Sequence, residues 1–157
     1  MRQQRWFRIT ALAVALFAVN VIARLVIRFS DDSADGGASG LASIAMFTVI
    51  ALILGVLTFL RSQRVKPSAW LPDVGFGALA GMALIVLVGP FVSGDGPFEG
   101  GAGNFFAQIW LFIGCAGAGG LIGYWVAVML GRDYRSRALK AFTQARSDRP
   151  RRVVGRR

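Results

Sequence analysis

The stretch FFAQIWLFIGCAGAGGLIGYWVAVML, residues 105–130, contains no charged side chain and no proline. A helix needs about 20 apolar residues to cross the hydrocarbon of a bilayer, so this run is long enough to span it. Three further apolar runs precede it, over residues 9–27, 41–60 and 74–92, and the charged residues collect in the gaps. Four such runs joined by short polar connections predict an all-α polytopic membrane protein: an antiparallel bundle of four transmembrane helices. Residues 1–8 form an N-terminal segment and 9–130 the membrane domain. Residues 131–157 form a basic amphipathic tail, helical at first and disordered from Ser147.

The charges also orient the chain. Short loops rich in Lys and Arg stay in the cytoplasm. Arg2, Arg5 and Arg8 precede the first run, Arg61, Arg64 and Lys66 lie in the second connection, and ten basic residues follow between Arg132 and Arg157. The first connection holds Asp31, Asp32 and Asp35, and the third holds Asp95 and Glu99 without a balancing cation. Both termini are therefore expected in the cytoplasm. The first run is read as a retained span, because it is longer than a secretory signal core and no small-x-small cleavage site follows it. Lys occurs only at positions 66 and 140 among 18 basic residues, a bias that matches GC-rich bacterial genomes. The expected location is the bacterial cell (inner) membrane.

Composition excludes several chemistries. Without histidine, neither bis-histidine haem ligation nor histidine acid–base catalysis is available. The lone cysteine, Cys115, allows no internal disulfide and no dithiol chemistry. No carboxylate lies inside a span, which argues against proton-coupled export. The glycines from Gly114 to Gly123 sit at membrane depth and not in a strand-to-helix turn, so they are no nucleotide loop. Asp31, Ser33, Asp35 and Gly36 match the first half of a calcium loop, but its twelfth position is Ala42, and a solvated acidic turn is expected. No enzyme, cofactor or metal site is expected.

Glycine spacing predicts helix contacts. Cys115, Gly119, Gly123, Ala127 and Gly131 recur every four residues, and Gly77 and Gly81 offer a shorter version in the third run. In lipid, small residues let helix backbones approach, so these faces are expected to pack against one another, or against a second copy. Asp73 and Asn104 are expected to cap the third and fourth helices. Trp6, Trp70 and Trp125 are expected in an inner aromatic belt, and Phe91, Phe105, Phe106 and Trp110 in an outer one.

Asn20, Arg24 and Arg28 form a polar stripe at four-residue spacing near the outer end of the first span. An intramembrane cation costs about 2.5–3.5 kcal/mol at mid-depth on insertion scales and often marks function. The stripe is a candidate contact for an anionic lipid or polyprenyl phosphate head group, against the plainer alternative of snorkelling with pairing to Asp31 or Asp95. In the tail, Tyr134, Ala138, Ala141, Phe142 and Ala145 recur at helical spacing, and Asp133 is placed to pair with Arg137. Arg132, Arg135, Arg137, Lys140 and Arg146 supply the basic side of a helix expected to lie on anionic phospholipid. The expected partners are the lipid bilayer, its anionic phospholipids, and other membrane proteins or a second copy. Nucleic acid is not among them. The resulting expectation is a non-enzymatic accessory or scaffold protein, with a transport helper for anionic lipid-linked molecules as the alternative.

Overall fold

The computed structural model describes residues 2–30, 37–94, 96, 98 and 101–147. These form α1 (Arg2–Ser30), α2 (Gly37–Arg64), α3 (Pro67–Leu87), a short α4 (Gly89–Ser93), α5 (Gly101–Met129) and α6 (Tyr134–Ser147). The segments holding α1, α2, α3 and α5 are each long and apolar enough to cross a membrane. The acidic turn over residues 31–36, Asp95, Glu99 and the segment beyond Ser147 lie outside the described residues.

Many large apolar side chains point outward, although Leu16, Ile50, Leu54, Trp70, Ile85 and Phe112 form a buried cluster. Trp110 is 71% exposed, and Phe76, Leu121 and Ile122 are similar. The interior holds many small or polar residues: Ala13, Ala127, Asn20, Thr58 and Ser62, with Gly77, Gly81, Gly119 and Gly123. In water this arrangement would be unstable. In hydrocarbon, lipid tails cover large apolar side chains as well as a core would, and small residues go where backbones must approach.

The closest packing joins alternate spans. Leu12 and Leu16 of α1 lie against Gly77 and Gly81 of α3, where an added Cβ would come within 2.7 Å and 3.0 Å of their methyl groups. Further along, Asn20 meets Gly89 and Arg28 reaches Val92, so α1 and α3–α4 run parallel. In the same way Ala51 meets Gly119 and Thr58 meets Gly123, making α2 and α5 parallel. The expectation that the glycine faces of the third and fourth spans pack on one another is therefore corrected. The α3 face needs protruding side chains to fill it and finds leucines on α1. The α5 face needs a bare backbone and finds one on α2, where Ala51 and Gly55 leave their carbonyls accessible.

The α2–α5 seam is the tighter one. A Cβ on Gly119 would collide with the Ala51 backbone, and one on Gly123 with the Gly55 carbonyl. The Thr58 hydroxyl donates to a carbonyl within a cluster of three, Leu54 at 2.8 Å and Gly55 at 3.0 Å on its own helix and Gly120 at 3.1 Å across the seam. Such interhelical bonds contribute about 0.6 kcal/mol on average.

Several boundaries differ from expectation. α3 begins at Pro67, not at residue 74, because proline at the first helical position has its φ already set and lacks only an N–H that would be unpaired there. Asp73 is thus inside the helix and caps nothing, and its Oδ1 accepts from an Arg5 guanidinium N–H at 3.0 Å. Pro90 ends the third run early. It has no N–H to give to the Val86 carbonyl, so the helix stops at Leu87 and restarts as α4. α5 begins at Gly101, which puts Asn104 inside it. Trp70 is 3% exposed and belongs to the core, not to an interfacial belt.

Gly131 has φ +58°, its N–H donates to the Val128 carbonyl, and the Arg132 N–H donates to the Ala127 carbonyl. This is a Schellman turn, in which glycine takes the left-handed conformation that ends a helix. Gly131 is therefore a terminator and not the last member of the packing face.

Gly123→Ile is expected to destabilise the protein in detergent by at least the 1–3 kcal/mol typical of overpacking, because its obstacle is backbone. Gly114→Leu, on the same helix with nothing within 4 Å, is expected to leave the melting temperature unchanged. Equal melting temperatures would show that the α2–α5 seam can open without cost.

Candidate functional site

The polar stripe of α1 meets the break in the third span. Asn20 is 1% exposed, its Nδ2 donates to Met46 Sδ at 3.1 Å, and its Oδ1 accepts from Arg24 Nε at 3.2 Å. The two residues are four apart and share a helix face, which lets the amide orient the guanidinium. Gly89 completes the nest. A Cβ there would lie 2.6 Å from Asn20 Oδ1 and 3.2 Å from Arg24 Nε, so only glycine fits without moving them.

The break explains why a cation can be seated at this depth. α3 ends at Leu87 with Val88 as its C-cap, and the carbonyls of a last helical turn carry the negative end of the helix dipole. A cation at such an end gains about 0.3–1 kcal/mol when exposed and up to about 2 kcal/mol when partly buried, a sizeable part of the insertion cost. Arg28 lies further out, with one guanidinium nitrogen 3.5 Å from the Val92 carbonyl, at the outer limit of a hydrogen bond. The structure thus brings Asn20 and Arg24 together with Met46 and Gly89, and leaves Arg28 on the exposed rim. Met46 and Gly89 carry no charge and were not singled out from sequence. The Gly89-Pro90 pair inside an apolar run was the available signal, since it marks an interrupted span.

The expected helix-packing residues separate into two groups. Gly77 and Gly81 seat the α1 leucines, while Gly119 and Gly123 are pressed on α2 and Ala127 is fully buried. Cys115 is only half-buried, with a free thiol.

At the other end of α5, Asp133 starts the tail helix. Its carboxylate accepts from the backbone N–H of Arg135 at 3.2 Å and of Ser136 at 3.4 Å, the geometry of an N-cap. The expected pairing with Arg137 is not formed, because both carboxylate oxygens face the cap, and Arg137 gives only its backbone N–H to the Asp133 carbonyl. Hydrogen bonding from the Ser136 side chain, and then from the Ser136 and Arg135 backbone, holds the Asp133 carboxyl below its usual range despite desolvation. Lys66 lies 5.9 Å from the centre of the Tyr134 ring, tying the start of α6 to the α2–α3 connection.

α6 buries no residue. At 3.6 residues per turn, Arg135, Leu139, Phe142 and Arg146 fall on one face, while Arg137 and Lys140 lie opposite and Arg132 precedes the helix. Leu139 and Phe142 are both 65% exposed. Arg135 and Arg146 therefore flank the large apolar side chains, while Arg137 and Lys140 point away from them. Comparison with protein-family models, curated proteins and solved structures returns no match.

Gly89→Ala is expected to destabilise the protein by about 1–3 kcal/mol by displacing Asn20 and Arg24. Gly75→Ala, with open space around it, is expected to hold or raise the melting temperature and serves as the comparison in the same thermal melt. If both variants melt together, the nest is not tightly packed. For Asp133, a lowered folded-state pKa means the cap contributes fully above the ordinary aspartate range and is lost as pH falls through the lowered value. Amide exchange at Arg135 and Ser136, corrected for intrinsic pH dependence, is expected to accelerate on acidification. Asp133→Ala should cost about 1 kcal/mol of helix stability at neutral pH and abolish that pH dependence. Unaltered pH dependence in the variant would assign it to another group.

Proposed function

We propose that this chain is a small, non-enzymatic accessory or scaffold protein of the bacterial cell membrane, with both termini in the cytoplasm, which holds the anionic lipid surface through α6. The observation that carries this reading is the exposed pair Leu139 and Phe142, flanked on their own face by Arg135 and Arg146. The apolar side chains can enter the headgroup–acyl boundary while the arginines extend to phosphate. Each juxtamembrane cation near an anionic surface contributes about 1 kcal/mol of attraction. The Schellman turn at Gly131 and the cap at Asp133 support it further, since they let α6 leave the axis of α5. The glycine faces are occupied within the chain, so contacts with other membrane proteins would use the lipid-facing surface instead.

A second reading is favoured by one observation, the seat of Arg24 at an interrupted span. Broken helices whose ends face a buried charge are where many transporters hold their cargo. On that reading Asn20 and Arg24 would attend an anionic lipid-linked molecule in transit.

Single cysteines in a Cys115→Ala background test the first reading. An impermeant thiol reagent applied to intact cells is expected to label a cysteine at Ser33 and spare one at Ser68. An environment-sensitive fluorophore at Leu139→Cys is expected to shift to the blue in nanodiscs containing anionic lipid, and to lose the shift in about 1 M salt, where the screening length falls to about 3 Å. Labelling at Ser68 alone would invert the topology, and emission indifferent to lipid charge and salt would remove the lipid-surface role.

A further inference from the structure

α3 and α5 do not close on each other along their length. Between them lies an apolar trough of about 560 Å³, within the range of small-molecule sites. Its walls are thinned by small residues, Gly75 and Ala78 on α3 and Ala116 and Gly117 on α5. Gly75 and Gly117 differ in kind from the packing glycines. A Cβ at either would meet nothing within 4 Å. A helical glycine that permits no close approach still has the poor helix propensity of glycine, about 1 kcal/mol below alanine, and its effect here is to keep space open.

One end of the trough is chemically distinct. Trp70 lines it, stacked obliquely 6.4 Å from Tyr124, and the Trp70 indole N–H is buried without a hydrogen-bond partner. Buried tryptophan N–H groups usually find an acceptor. Pro67 lines the same end, and exposed Lys66 immediately precedes it. Trp70 lies three residues into α3, about 4.5 Å deeper along its axis than Pro67. An apolar trough lined at one end by a tryptophan whose N–H is unpaired, with a cation beyond it, calls for an occupant with a long apolar body, an oxygen acceptor next to it, and an anionic head. A packed helix of a second copy brings an apolar surface but has its carbonyls already paired.

We propose that this trough holds one acyl chain of a single anionic phospholipid, with an ester or phosphate oxygen accepting from Trp70 Nε1 and the head group beside Lys66. The proposal rests on the four apolar helices being membrane spans and does not use the exposed Leu139–Phe142 face of α6.

Native mass spectrometry of the full chain in mild detergent, titrated with phosphatidylglycerol or phosphatidylcholine, tests it. Wild type is expected to retain one phosphatidylglycerol. Gly75→Leu/Gly117→Leu should bind it at least tenfold more weakly with a melting temperature no lower than wild type, and Gly114→Leu, open but outside the trough, should bind as wild type. Trp70→Phe should weaken binding several-fold, and Lys66→Ala should remove the preference for phosphatidylglycerol. If the double variant melts early, phosphatidylglycerol carrying a photoreactive acyl chain replaces it as the test, with adducts expected at residues 67–82 or 112–124 of wild type. Leu139→Ser/Phe142→Ser, which removes the large apolar residues of α6 and keeps Tyr134 against Lys66, should leave this binding intact, which separates its failure from failure of the lipid-surface reading. Wild-type affinity in a stably folded double variant, equal affinity for the two lipids, or adducts confined to other residues would each overturn the proposal. So would loss of a dimer in the double variant without change in lipid binding, which would identify a second copy as the occupant.

Discussion

Backbone meets backbone where Gly119 and Gly123 lie on Ala51, Gly55 and Thr58, and no side chain larger than hydrogen fits at either glycine. In hydrocarbon there is no aqueous penalty to drive apolar surfaces together, so association relies on dispersion, hydrogen bonds and freed lipid. These terms are short-ranged, and a seam that brings main chains nearly into contact gathers the most of them. The Thr58 hydroxyl lies within hydrogen-bond distance of the Gly120 carbonyl at the same place, one of the three acceptors around it. Beside the α2–α5 pair, α1 and α3 form a second pair through leucines set on Gly77 and Gly81. The weaker α3–α5 boundary is left as a trough.

The polar groups follow a complementary rule. Asn20 is buried yet satisfied, because Met46 and Arg24 take its donor and its acceptor. Arg24 in turn lies at the end of a helix that proline has stopped, where carbonyl groups stabilise positive charge. The break, the glycine and the polar stripe thus form one arrangement. Replacing Gly89 with any larger residue would move two polar side chains that have few alternative partners in lipid.

Much of this was legible in the chain. The spans read directly from runs of apolar residues, since length and absence of charge are one-dimensional properties. The small faces at Gly77, Gly81, Gly119 and Gly123 also read directly, as did the stripe through Asn20 and Arg24. Which face meets which did not, because spacing on one helix says that something approaches closely without saying whether leucine or bare backbone fills the space. Asp73 shows the same limit. An aspartate after a proline fits an N-cap, but Pro67 offered an earlier start, and tertiary pairing with Arg5 then claimed the carboxylate. Trp70 fits an interfacial aromatic by position along the chain, and only the three-dimensional fold, which sets it beside Tyr124 in the buried cluster, places it in the core.

The pairing of alternate spans bears on how the chain assembles during synthesis. α1 has its main partner in α3 and α2 in α5, so neither early helix can complete its principal contact with the next span to emerge. A ribosome adding about 5–20 residues per second needs several seconds to make the stretch between α1 and the end of α3. For that interval α1 must persist in the bilayer with Asn20 and Arg24 still awaiting the Gly89 break, held by hydration at the nearer interface or by the insertion machinery. Closure of the α1–α3 pair then comes only after insertion, as a separate stage.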